Sequence, residues 1–81
     1  MTTERIKELY DAQPFKPFII HRADGRDVPV HHREFIMTVP PGRTIVVAEP
    51  DGSLHILDVF MITDLEVRPE LNGSRAKRKR R

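Results

Sequence analysis

The chain has 81 residues with no cysteine and no tryptophan, and its 14 Lys/Arg and 12 Asp/Glu give a net charge of +2. That length makes one small domain, which buries only about 60% of its unfolded surface and keeps a thin margin of stability. The lack of cysteine excludes disulfides, thiolate metal centres and a cysteine nucleophile, so other supports of a small domain, oligomerisation among them, come forward.

No apolar run approaches the roughly 20 residues that a membrane-spanning helix needs. Residues 1–10 mix Glu4, Arg5, Lys7 and Glu8 with apolar residues and show no stretch of signal-peptide type. A cytoplasmic protein without a membrane partner is expected, and the absence of cysteine fits a reducing compartment. Charge is divided unevenly. Residues 1–70 hold eight Lys/Arg and twelve Asp/Glu, a net −4, while residues 71–81 hold six Lys/Arg and no acid, a net +6.

In chain order, residues 3–11 predict a short helix. Thr2 or Thr3 can cap it, and Glu4 lies near the positive end of the helix dipole. Ile6, Leu9 and Tyr10 fall at i, i+3 and i+4 and form one apolar stripe, with Tyr10 expected half exposed. So short a helix is marginal alone, and its stripe must dock. Pro14 and Pro17 end it and push the chain into extended conformations.

Strand patterning comes next. Phe18, Ile19 and Ile20 lead into Asp24-Gly25, then Val28 and Val30, a hairpin signal. A three-residue loop, Asp24-Gly25-Arg26, would pair Ile20 with Val30 and Arg22 with Val28, placing Phe18, Ile20, Val28 and Val30 on one face. Pro29 implies an edge or a bulge. Residues 35–39, 44–48 and 54–57 predict further strands, joined by turns at Pro40-Pro41-Gly42-Arg43 and at Glu49-Pro50-Asp51-Gly52-Ser53. Residues 59–67 predict the last. The sum is a mainly β domain over residues 1–70, a short N-terminal helix followed by about five strands in a strongly bent antiparallel sheet or small open barrel. Residues 71–81 are expected to form a flexible basic tail with nothing to bury.

Apolar-x-apolar, three further residues, then Asp-Gly is the spacing of Phe18, Ile20, Asp24 and Gly25. With Ile62-Thr63, Leu65 and Val67 near the end, it resembles the Sm-like small β-barrel fold. The resemblance implies a helix-first, five-stranded barrel, related in shape to SH3-like barrels. If it extends to ring assembly, Phe35 or Tyr10 could stack bases. The strand-bending glycine is absent, with Val30 near its expected place, and Asp58, Val59, Phe60 and Met61 occupy the region where the bacterial Sm-like RNA chaperone carries Lys-His. The segment Pro14-Phe15-Lys16-Pro17-Phe18, with the Asp-Gly hairpin, also resembles short bacterial proteins with no assigned activity.

The sharpest chemical feature is the tail. Arg75, Lys77, Arg78, Lys79, Arg80 and Arg81 are the candidate nucleic-acid-binding residues, suited to RNA or DNA phosphates but reading no base edges. The competing readings are an acidic partner surface, including the −4 body of another copy, and a solvated terminus. His21 could lie near His31, with Asp27 completing a metal set; the alternative is partly exposed strand histidines, and no metal ligand or cofactor is assigned. His55 alternates with Leu54 and Ile56 and is expected to face solvent or an interface. Asp58 and Asp64 interrupt apolar sequence and are expected to accept backbone donors. Ser53 and Ser74 have no His-acid arrangement near them, so no catalytic residue is assigned. Phe15, Phe18, Phe35 and Phe60 are expected in the core.

Met37, Val39, Ile45, Val47, Leu57, Val59 and Met61 exceed what one face of a small sheet must cover. The run Ile45-Val46-Val47 implies strands buried on both faces, or edges that pair with another copy, with a lone, compact barrel as the competing explanation. The expected function is a small non-enzymatic binding module that self-assembles into a homo-oligomer and contacts RNA or DNA nonspecifically through its tail. The alternative is a protein-interaction or accessory subunit with no nucleic-acid role. No small-molecule substrate is evident.

Overall fold

In the computed structural model, which describes residues 2–72, two three-stranded antiparallel sheets face each other across one core, with a helix against it. Helix α1 spans Thr3–Tyr10, and Thr2 caps it by accepting the Arg5 N–H at 3.3 Å. The strands are β1 (Phe18–Arg22), β2 (Asp27–Val30), β3 (Ile36–Val39), β4 (Thr44–Ala48), β5 (Leu54–Asp58) and β6 (Ile62–Val67). Their order is β2-β1-β6 in the first sheet and β3-β4-β5 in the second. The expected five-stranded sheet or barrel is thus corrected to six strands in two sheets, not closed into a barrel.

The inward residues follow strict alternation. Phe18, Ile20, Val28 and Val30 come from the first sheet, and Ile36, Ile45, Val47 and Leu57 from the second, all buried. Ile6 and Tyr10 bring the helix stripe into the same cluster, with Leu9, Phe15 and Leu65 packed against it. Tyr10 is buried rather than half exposed, because its hydroxyl finds a partner in Thr38 Oγ1. The Thr3 hydroxyl donates to the Gly42 carbonyl, and Arg33 lies 4.4 Å from the centre of the Tyr10 ring while pairing with Asp11 at 3.2 Å. These contacts fix the helix over the β3–β4 turn.

The first hairpin forms at Asp24-Gly25, but two residues out of the expected register. Ile20 pairs with Val28 and Phe18 with Val30. Arg22 N–H donates to Arg26 C=O and Gly25 N–H to Arg22 C=O, so the loop is Ala23-Asp24-Gly25, one residue earlier than expected. A two-residue shift preserves side-chain parity, so the predicted face survives the wrong register. The β4–β5 hairpin repeats the same loop: Glu49 N–H donates to Ser53 C=O, and Gly52 N–H to Glu49 C=O.

The residues expected to open the last strand instead form a 3₁₀ turn, Val59–Met61. Asp58 nucleates it by accepting the Phe60 N–H at 2.9 Å, as expected of a carboxylate at a strand end. Val59 N–H closes the β4–β5 ladder on Arg43 C=O, and Ala23 N–H bonds Met61 C=O. The turn therefore hands the chain from the second sheet to the first. No helix among the described residues is long and apolar enough to cross a membrane.

Candidate interaction surface

Strand β4 decides the character of the second sheet. Ile45 and Val47 enter the core, so Thr44, Val46 and Ala48 point outward. On β3 the outward residues are Met37 and Val39, and on β5 they are Leu54, Ile56 and Asp58. The registers align them in rows across the sheet. Met37, Val46 and Ile56 form the middle row, flanked by Ala48 with Leu54 and by Val39, Thr44 and Asp58. An antiparallel sheet with one face on a core usually carries polar residues on the other. Here Met37 is 57% exposed, Leu54 67% and Ile56 73%. A shallow groove of about 210 Å³ opens where Glu34 and Phe35 approach Met37, Val46 and Leu54.

The other end of this face is polar. Arg43 holds Asp58 with two hydrogen bonds of 3.3 Å and lies 4.2 Å from the centre of the Phe60 ring. The Phe60 N–H and the Arg43 guanidinium hold the Asp58 carboxyl below the usual carboxylate range. Phe60 is 69% exposed, which corrects its expected place in the core. The 3₁₀ turn aims it outward, and the Arg43 guanidinium covers part of its face.

His55 is corrected too. It lies on the core side of β5, half buried, with Nε2 2.6 Å from Glu49 Oε2. Leu54 and Ile56 take the solvent side instead. The inward partner of His55 along the strand is Leu57, buried at the core.

The outward face of the first sheet is acidic around one histidine. His21 places Nδ1 2.8 Å from Asp27 Oδ1 on β2 and Nε2 2.9 Å from Glu66 Oε1 on β6. The hydrogen bond to Glu66, then the one to Asp27, raises the His21 pKa above its ordinary value. Glu66 is held low by Arg68 first and by His21 second. The carboxylates sit at opposite nitrogens of the ring, so they stabilise an imidazolium and do not converge on a common point. His31 lies past the end of β2 at the far end of the hairpin, so the register does not bring it to His21. No group of three or more potential ligands among the described residues could hold a metal ion.

Arg75, Lys77, Arg78, Lys79, Arg80 and Arg81 lie outside the described residues. Compared with known proteins, the chain matches no protein family, no curated protein and no solved structure.

Proposed function

We propose that this chain is a small non-enzymatic association module that self-assembles, and that the β3-β4-β5 sheet is its contact surface. The observation that carries the reading is the outward apolar row of Met37, Val46 and Ile56, joined by Leu54. Contiguous exposed apolar surface of this kind marks interaction sites more often than an incidental surface. The thin core of a small chain without disulfides adds a thermodynamic reason to bury more apolar area through a partner copy. The Sm-like resemblance belongs to this proposal and rests on Phe18, Ile20, Asp24, Gly25 and the apolar spacing of β6.

Sedimentation equilibrium of the full chain tests the reading. Association that grows with concentration, and that is lost in the double variant Leu54→Lys, Ile56→Lys, supports it. A chain that stays monomeric at millimolar concentration overturns it.

A second reading concerns polyanions, and the charge division carries it: a net −4 over residues 1–70 and +6 over residues 71–81. Phosphate contact would then rest on Arg75, Lys77, Arg78, Lys79, Arg80 and Arg81, because the acidic body repels it. Duplex DNA binding would weaken with salt along a log–log slope of about −0.9 per phosphate contacted. Truncation after Asn72 should abolish binding. Equal binding by the truncated chain would sink this reading.

A further inference from the structure

Four strand edges face out of the two sheets, and three of them carry a device that discourages pairing. On β2, Arg22 and Arg26 form a hydrogen-bonded pair, so alternation turns the backbone groups of Asp27 and residue 29 toward the open edge. Pro29 occupies one of those positions and offers no N–H. On β3, the Ile36 carbonyl accepts from Arg33 Nη1. On β6, the Pro17–Arg68 bond turns the backbone of Leu65 and Val67 outward, and a bulge at Thr63 breaks the alternation beyond them. There α1 stands alongside, with Arg5, Glu8 and Leu9 lining a groove shared with Asp64, Leu65 and Val67.

Among the described residues, strand β5 has none of these devices. The ladder bonds Glu49–Ser53 and Arg43–Val59 fix the alternation. Positions 55 and 57 therefore bond to β4, while the amides and carbonyls of Leu54, Ile56 and Asp58 point away from it. Neither lysine, arginine nor proline interrupts Leu54–Asp58. Two of these residues, Leu54 and Ile56, also expose apolar side chains. Such an edge is a template for pairing with another chain.

We infer that the β5 edges of two copies pair antiparallel about a two-fold axis, joining the two β3-β4-β5 sheets into one six-stranded sheet. The inference rests on the association reading and narrows its contact to the β5 edge, where Leu54 and Ile56 close the outward apolar face. The chain itself selects the register. With the axis between His55 and the same residue of the second copy, Leu54 of each copy lies opposite Ile56 of the other. Both are edge-facing positions, so each such pair exchanges two backbone hydrogen bonds. Asp58 then faces Gly52 of the other copy, so no carboxylates oppose each other directly. Of the two neighbouring registers, the one centred on Ile56 would set Leu54 against the Asp58 carboxylate and the one centred on Leu54 would set Ile56 against Gly52, so each loses both Leu54–Ile56 contacts. His55 needs nothing from the second copy, since Glu49 already holds it. An interface that presents one patch to itself is the isologous kind that closes as a dimer.

The test compares two variants of the full chain by sedimentation equilibrium, with folding checked by circular dichroism. Ile56→Pro removes an edge-facing amide without breaking a bond to β4. Met37→Lys charges the same apolar face two strands away. The wild type is expected to dimerise, Ile56→Pro to weaken the dimer at least tenfold, and Met37→Lys to leave it within about twofold. Loss in both variants would mean stacked faces, overturning the edge inference while the association reading stands. A dimer unchanged in Ile56→Pro also overturns it, and a monomeric wild type overturns both. Should Ile56→Pro fail to fold, hydrogen exchange of the wild type decides. Protection of the Leu54 and Ile56 amides must rise with protein concentration while that of Thr38, on the opposite edge, does not. Concentration-independent exchange at Leu54 and Ile56 overturns the pairing.

Discussion

His21 and Glu66 are joined across the β1–β6 pairing, with Nε2 2.9 Å from Oε1, while the other ring nitrogen of His21 is held by Asp27. One histidine therefore ties both edge strands of the first sheet to its central strand. The arrangement favours the imidazolium, since both nitrogens must donate to satisfy two carboxylates. The His21 pKa is raised on folding, by Glu66 first and Asp27 second. Its stabilising contribution is then full below the ordinary histidine value of about 6.5 and fades as pH rises through the folded value. The Glu66 pKa is lowered, by Arg68 first, so its contribution is present above the ordinary carboxylate range and is lost as pH falls through its folded value. The clamp should be strongest in mildly acidic solution. Urea midpoints at about pH 6 and about pH 8.5 should show the wild type losing more stability on the alkaline side than His21→Asn does. Parallel profiles for the two proteins would show that the clamp contributes nothing to stability.

Phe18 and Phe60 differ in surroundings, and substitution should separate them. Phe18 is fully buried, with Val30 opposite it on β2 and Phe15 6.1 Å away between ring centres. Phe18→Ala should cost about 3–5 kcal/mol. Against a total of about 4–12 kcal/mol for a domain of this size, that leaves little folded protein. Phe60 is largely exposed and loses mainly its contact with Arg43, so Phe60→Ala should cost about 1 kcal/mol or less. Thermal unfolding followed by circular dichroism measures both. A comparable loss in the two variants would contradict the placement of the 3₁₀ turn.

Side-chain parity explains which parts of this fold were legible in the sequence. The inward set Phe18, Ile20, Val28 and Val30 was readable because a two-residue register slip leaves parity intact, and the helix stripe was readable from its i, i+3, i+4 spacing. Strand β5 was not. Leu54, His55, Ile56 and Leu57 offer apolar residues at both parities, so alternation alone cannot choose a face. The choice is made by Leu57 and Val59 at the core and by Glu49 waiting for His55. The apolar surplus over β3, β4 and β5 reads as strands buried on both faces or edges paired with another copy, whereas within the chain its outward members Met37, Val46 and Ile56 stay at the surface. The 3₁₀ turn hid inside residues 59–67 because its signal is a single capping aspartate.

Tyr10 closes the helix onto β3 through its hydroxyl, bonded to Thr38 Oγ1. Tyr10 is buried and Thr38 half buried, so removing the phenol hydroxyl takes away the threonine's partner. Tyr10→Phe should therefore destabilise by about 1 kcal/mol. Combining it with Thr38→Val should cost less than the two single changes together, because the second change removes the stranded group. A strictly additive double-mutant cycle would show that the bond carries no coupling.

The two Asp-Gly loops offer a matched pair. In each, the aspartate accepts the backbone N–H two residues on, Asp24 from Arg26 at 3.0 Å and Asp51 from Ser53 at 2.9 Å. In each, the glycine adopts positive φ, +89° at Gly25 and +95° at Gly52, with no atom near the place a Cβ would occupy. A side chain there meets only the intrinsic cost of the left-handed backbone, about 1–2 kcal/mol for an L-residue. Gly25→Ala and Gly52→Ala should then destabilise by similar amounts. Asparagine, which tolerates this region better, should recover part of the loss at both sites. The loops differ in the strands they lead into: Gly25 joins β1 to the Pro29-blunted edge strand, whereas Gly52 leads into β5. If β5 pairs with a second copy, Gly52→Ala should also weaken dimerisation by disturbing the start of that strand, while Gly25→Ala should not. Chemical denaturation supplies the first comparison and sedimentation equilibrium the second. Unequal stability losses would show that the two loops are not equivalent.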